Sequence, residues 1–261
     1  LNGNMPRVTY EGYGEMSDVC IKRKIRNRLL DAGENIFVQS DDKNTDGYKS
    51  LKARAEANEA FGAELKNGKK ADAQRGYEIA CKEWMDVRSF GQVFAFKGSD
   101  LSLGIRGPVS VQPAFSVDPI DITSMQITKS VNSEDKEGKS SDTMGMKHRV
   151  DFGVYVLKGS INVQLSEKTG FTEEDAEKIK EAIRTLFVND SSSARPDGSM
   201  VMHKLYWWKH NCKIGQYSSH KVHNSIEIKK KEGVRNPRKI EDYEIICHEL
   251  PGLAVEEYEG L

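Results

Sequence analysis

The sequence predicts an α+β fold. One amphipathic helix is written early, at about 17–31, and a second late, at about 171–187. Between and after them stand short Val-, Ile- and Phe-rich runs broken by Gly and Pro. In chain order these give helix, strands, helix, strand, which matches a ferredoxin-like sheet except for a strand expected ahead of the first helix. At 261 residues the chain is long enough for one elaborated domain with insertions.

Residues 1–16 are rich in Gly, Asn and Tyr without a sustained period and read as a loop. The expectation is therefore that the natural protein carries further N-terminal residues supplying the missing strand; an intact mass matching a chain that begins at Leu1 would contradict it. Ser17 then offers an N-cap, Asp18 suits the positive end of the helix dipole, and Ile21, Ile25 and Leu29 recur at four-residue spacing. Residues 40–70 are polar and rich in Lys, Ala, Asn and Gly, fitting a helical insertion or a mobile lobe, and a better helix follows at about 70–86.

From Ser89 to Val131 the texture is that of strands joined by turns at Gly104, Gly107, Pro108, Pro113 and Pro119. Residues 132–142, NSEDKEGKSSD, are expected to form a hairpin tip or disordered loop between two strand-like arms. VDFGVYVLKGSINVQLS, 150–166, reads as the clearest strand. In the late helix Thr172 and Asp175 resemble a capping box, Phe171 and Ala176 a staple, and Ala176, Ile179, Ile183, Leu186 and Phe187 a buried stripe. Further strands are expected within 200–210, 223–230 and 242–250, followed by an acidic tail.

The chain is 37% hydrophobic and 30% charged, a folded composition, and its net charge of −1 means that any polyanion-binding surface must be local. Cys20, Cys81, Cys212 and Cys247 lie far apart without a CxxC pair, which argues against a structural zinc site and against a disulfide framework. No apolar run reaches the roughly 20 residues of a membrane span, and LNGNMPR lacks a signal-peptide core. A cytoplasmic, reducing setting without membrane contact is the expectation.

Five cations in seven residues, Lys22, Arg23, Lys24, Arg26 and Arg28, form the densest basic run of the first helix. Such a face can neutralise phosphates without reading sequence, or it can be an ordinary solvated surface. Arg88 precedes a strand, and Arg106 stands between Gly104 and Gly107, where glycines would let a ligand backbone approach; an exposed turn arginine is the alternative. Lys147, His148 and Arg149 enter a strand, so only some share a face. Met125, Met144 and Met146 flank the proposed hairpin and could wedge between nucleotides, although filling a core is the commoner use. Tyr206, Trp207, Trp208, Lys209 and His210 could stack bases, but strand alternation favours at least one Trp in the core.

Support for catalysis is thin. The six histidines are scattered, and His220 with His223 lacks a carboxylate at metal-site spacing. GxSxG, GxxxxGK[ST] and HExxH are all absent. The reading is a non-enzyme without cofactors.

GNMPR, SDVCIKRKIRN, DVRSFGQVFA, GIRGPVSVQPAFSVDPI, QITKSVN, TMGMKHRVDFGVYV, LSEKTGFTEEDAEKI, SARPDGSM and KLYWWKH occur in this order across nearly the whole chain. Together they resemble the Csd-type branch of the "Cas seven" family, the RAMP-superfamily backbone subunit of the type I-C CRISPR Cascade complex. The resemblance implies a single domain over 1–261, a modified ferredoxin-like (RRM-like) palm with a helical finger lobe at about 32–90 and a β-hairpin thumb at about 122–148. It further implies copies polymerised along a CRISPR RNA that pairs with a target DNA strand. Implied partners are a processing RAMP subunit, a large subunit and a recruited helicase-nuclease.

By the same resemblance, Lys22, Arg23, Lys24 and Arg26 would grip guide phosphates, with Arg106, Lys147 and Arg149 as further backbone contacts. The backbone subunit of this family is not the nuclease. Related type III subunits, however, cut target RNA with a loop aspartate and a divalent metal. Asp46 and Asp142 are loop carboxylates that such a reading could use, and the sequence selects neither.

Overall fold

A computed structural model describes residues 2–131 and 144–261. Along the chain run β1 (Tyr13–Met16), α1 (Asp18–Asp31), α2 (Leu51–Ala57), α3 (Glu59–Lys66), α4 (Ala73–Glu83), α5 (Met85–Phe90), β2 (Gly91–Ala95), β3 (Ser102–Arg106), β4 (Val109–Val111) and β5 (Ala114–Pro119). Then come β6 (Ile122–Thr128), β7 (Met144–Val150), β8 (Tyr155–Val156), β9 (Gly159–Ile161), α6 (Val163–Thr169), α7 (Glu173–Arg184), β10 (Lys204–Trp208), α8 (Ser219–His223), β11 (Ile226–Lys230), β12 (Tyr243–Cys247) and β13 (Val255–Glu259). The α+β class is as the sequence predicts. Among the described residues the strands form one three-stranded sheet, β1–β5–β8, and five two-stranded ones, β2–β3, β4–β9, β6–β7, β10–β13 and β11–β12, all antiparallel.

The chain divides into two compact units. The first comprises the described residues of 1–17, 113–158 and 225–248. It holds the three-stranded sheet with the β6–β7 and β11–β12 hairpins. Tyr243 is anchored there by its hydroxyl, which donates to Asp118 at 2.7 Å. The expected tip, 132–142, lies outside the described residues.

The second unit comprises 18–112, 159–224 and 249–261. Its core is aromatic: Phe37, Phe61, Trp84 and Phe94 pack with ring centroids 4.7–5.4 Å apart in the Phe37–Trp84, Phe37–Phe94, Phe61–Phe94 and Phe61–Trp84 pairs. Buried aromatic pairs in tilted and edge-on geometry contribute beyond their burial alone. Residues 40–70 are helical in part: Ser50 caps α2 by accepting the Ala53 N–H, and Asn58 caps α3 by accepting that of Phe61. Asp72 caps α4 in the same way.

Three expectations are corrected, and the acidic tail gains an element. A strand does precede the first helix: Tyr13–Met16 pairs with β5, its Gly14 N–H donating to Ser116 Oγ at 2.8 Å, a long-range partner that no local pattern reveals. The continuous strand over 150–166 is instead two short strands and a helix, because Asn162 caps α6 by accepting the Leu165 N–H. The acidic tail contains β13, whose glutamates pair across from the Lys204–Trp208 strand. In α7 the capping box forms as expected, but Asp175, Lys180 and Ala182 are buried alongside Ile179, while Ala176 and Ile183 are half-buried.

Candidate nucleic-acid interface

The basic run of α1 is largely consumed inside the second unit. Lys24 is buried, pairs with Asp190 and lies over the Phe187 ring. Arg26 donates from Nε to Asp86 Oδ2 at 2.9 Å and covers the Phe90 ring, 4.9 Å from its centroid. Asp86 is fully buried and accepts the Phe37 and Val38 N–H groups as well, so this carboxylate ties α1, α5 and the 35–38 segment together.

Arg23 donates to the Val38 carbonyl at 2.6 Å, and burial, reinforced by the charge of Arg26, presses its pKa below the ordinary value. Lys22 stays half-exposed beside Asp18. The helix is amphipathic, but its cations serve as much to close polar contacts as to face solvent.

Arg88 is equally engaged. Its guanidinium holds Asp175 with two hydrogen bonds, at 2.9 and 2.8 Å, and those bonds outweigh burial to raise its pKa. Arg106 is exposed at the end of β3, opposite Gly91. The glycines around it have a different use from the one expected: a Cβ on Gly107 would stand 2.2 Å from the Ser89 carbonyl oxygen and 2.5 Å from the Gly91 nitrogen. The backbone approaching there is the protein's own. Gly104, by contrast, faces open space.

In the first unit the β6–β7 hairpin brings the other expected residues together and sorts them. Directly opposed residues share a face. Thr123 with Arg149, Met125 with Lys147 and Ile127 with Gly145 form one face; Ser124 with His148, Gln126 with Met146 and Thr128 with Met144 form the other. The three methionines therefore do not act as one wedge. Met125 stands beside the cations, and Met144 and Met146 stand beside His148, which is hydrogen-bonded to Ser124 at 2.8 Å.

Outward of Thr123 and His148 the ribbon is exposed on both faces, Met144 at 66% and Met146 at 51%. Such a ribbon gains little from its own packing and suits insertion against a partner. At its base Asp151 accepts from the Thr123 hydroxyl at 2.5 Å and from Arg149 at 2.7 Å, and these donors hold its carboxyl below the usual range.

One basic cluster escaped the sequence reading. Six cations stand within the eleven residues Lys229–Lys239 against one acid, and all six are exposed. It holds one cation more than the run of α1, spread over a longer stretch, and part of it lies in a strand and part in the following loop, so no single element displays it.

The stacking candidates lie on β10. Tyr206 and Trp208 stack with each other on one face at 6.2 Å, and Trp207 on the other face lies under Lys180. Both Trp side chains are half-buried, so neither is the fully buried core residue expected. Burial opposes the Lys180 charge, but Glu177, Tyr258 and Glu256 outweigh it and raise its pKa. Asp46, one of the loop carboxylates, is held by Arg54 through two bonds at 2.5 and 2.9 Å; Asp142 lies outside the described residues. Among the described residues no group of three or more His, Cys, Asp or Glu side chains is placed to hold a metal ion, and no helix is long and apolar enough to cross a membrane.

Exposed positive charge is thus carried on a two-sided ribbon and on a loop of an α+β protein, both within its first unit. The family model described as CRISPR-associated protein Cas7 matches residues 1–248, and the chain belongs to that family. In structure it is similar to a chain of a solved assembly described as "CRISPR RNA-guided surveillance complex, pre-nicking", with 17% identity over 75% of this chain and 71% of that one and a TM-score of 0.45. No curated protein matches the chain in sequence.

Proposed function

We propose that this protein is a non-catalytic backbone subunit that binds CRISPR RNA and stacks in copies along it, within a type I-C Cascade-type complex that pairs the guide with a DNA strand. The observation that carries the reading is membership of the Cas7 family over 1–248. The β6–β7 hairpin supports it, because a ribbon exposed on both faces with Lys147 and Arg149 on one of them suits a phosphate backbone. Guide contacts fall to Lys147, Arg149, Arg106 and Lys22. Arg23, Lys24, Arg26 and Arg88 act mainly by holding the second unit, which carries Arg106 and Lys22. Met125 on one face, and Met144 with Met146 on the other, supply the apolar surface against which bases would be displaced.

Mass photometry of the purified chain on single-stranded RNAs of increasing length tests the reading. The number of copies should rise in steps with length, and one copy at every length would overturn it. A Lys147→Ala/Arg149→Ala variant should bind all RNA sequences more weakly, its log–log salt slope lowered by about 0.7 per lost contact. Regularly spaced cuts in complementary RNA on adding magnesium would overturn the non-catalytic part.

A further inference from the structure

The basic segment Lys229–Lys239 lies wholly within the first unit, on β11 and the loop that leads to β12. Its order comes from one carboxylate. Asp242 accepts the backbone N–H groups of Arg238 at 2.7 Å and Lys239 at 3.2 Å, and those donors, Arg238 first, hold it below the ordinary carboxylate range. The Lys231 N–H donates to the Asp242 carbonyl at 2.9 Å, and Gly233 takes the positive φ of 82° that the turn needs. The cations are thus displayed on a tied loop.

Little of that charge is neutralised locally. Lys230 meets Asp118 at 3.0 Å, while Lys229 and Arg238 stand 3.9 Å from Glu244 and Asp121, at the outer limit of ion pairing and with half-exposed side chains. Lys231, Arg235 and Lys239 are exposed and make no ion pair within 4.0 Å among the described residues, although the charges of Lys239 and Lys231 still act on Asp242. This is the reverse of α1, where Lys24 and Arg26 are spent on Asp190 and Asp86.

The loop is also placed. Asp121 immediately precedes β6, and Asp151, which Arg149 and Thr123 hold, feels the charge of Arg238. Arg238 therefore lies near the base of the hairpin that carries Arg149 and Lys147. Between Lys229 and Asp242 there is no aromatic side chain. The segment itself brings no ring for an unpaired base to stack on, and Tyr243, opposite Lys230, is buried against Phe152; stacking is the usual companion of cations in single-strand binding. Cations without stacking platforms suit a nucleic acid whose bases are already paired.

From these observations we infer that the 229–239 loop is a second nucleic-acid surface, one that holds the phosphate backbone of a duplex without reading its sequence. The inference rests on the nucleic-acid reading given above but assigns this loop a strand pair rather than the guide alone.

The test uses the full chain with Lys229→Ala, Lys231→Ala, Arg235→Ala and Lys239→Ala combined, leaving Lys230 and Arg238 in place. A control variant carries the same change in charge elsewhere: Lys66→Ala, Lys82→Ala, Lys97→Ala and Lys168→Ala. Binding to a mixed-sequence DNA duplex and to single-stranded RNA is followed by anisotropy across a salt series. The expected result is a duplex salt slope lowered by about 0.9 per lost contact in the loop variant only, with RNA binding as in the parent and an unchanged melting curve. A loop variant that binds duplex like the parent or like the control overturns the inference, as does a parent that binds no duplex. A loss confined to RNA also overturns it, and assigns the loop to the single strand. Failure to collect on RNA in length-dependent steps, with the loop effect on duplex intact, removes the guide-binding reading and leaves this one standing.

Discussion

The guanidinium of Arg88 and the carboxylate of Asp175 meet in two hydrogen bonds, Nε to Oδ2 at 2.9 Å and Nη2 to Oδ1 at 2.8 Å. The same Asp175 closes the capping box of α7, accepting the Thr172 N–H at 3.0 Å while its own N–H donates to the Thr172 hydroxyl at 3.2 Å. A side chain at the end of α5 is thereby fixed to the start of α7, and one carboxylate serves as helix cap and ion-pair partner together.

This pair contributes to stability in acid. Burial by itself would raise the Asp175 pKa, but the bonds from Arg88 and the Thr172 N–H outweigh it and hold the group below its ordinary value. A carboxylate depressed in the folded state contributes stability that is full above the unfolded pKa of about 3.9 and is lost as pH falls through the folded value. Arg88→Ala should lower stability at neutral pH by about 3 kcal/mol and make the loss below about pH 4 shallower. Urea midpoints across that range measure both effects.

Asp86 is the more exacting site. It is fully buried and satisfies two backbone N–H groups and Arg26. Asp86→Ala leaves all three donors without their acceptor and should cost about 3–5 kcal/mol in urea unfolding. An unchanged midpoint would show that the network is dispensable.

Gly107 and Gly104 make a contrasting pair around Arg106. Alanine at 107 would press against the backbone of the 89–91 segment, which cannot swing away as a side chain can, so a loss of about 3 kcal/mol or more is expected. Alanine at 104 meets open space and should change the unfolding midpoint by less than about 0.5 kcal/mol. Equal effects at the two positions would contradict the crowding described at Gly107.

Cys81 should be silent to thiol reagents. Burial pushes its pKa up to about 11, whereas Cys20 and Cys212 are exposed. Native labelling at mildly alkaline pH followed by peptide mapping should modify Cys20 and Cys212 first and Cys81 only after unfolding.

Local chemistry made much of this protein legible in its sequence. The capping box at Thr172 and Asp175, the apolar spacing of Ile21, Ile25 and Leu29, and the two arms of the β6–β7 hairpin are all set by neighbours a few residues away, and each stands where the sequence predicts. What distant partners decide was not legible. Tyr13–Met16 becomes a strand because β5 is there to pair with it, and the acidic tail becomes one because β10 is.

The same division runs through the candidate site. A count of positive side chains finds both α1 and 229–239, since charge is a property of composition. Whether a cation faces water depends on which carboxylate the fold brings to it: Asp190 and Asp86 take Lys24 and Arg26, while Lys231 and Arg235 remain exposed. Sequence fixes periodicity, caps and charge because they act over a turn or a pleat. Burial and ion pairing are contacts between residues far apart in the chain, and only the tertiary structure could assign them.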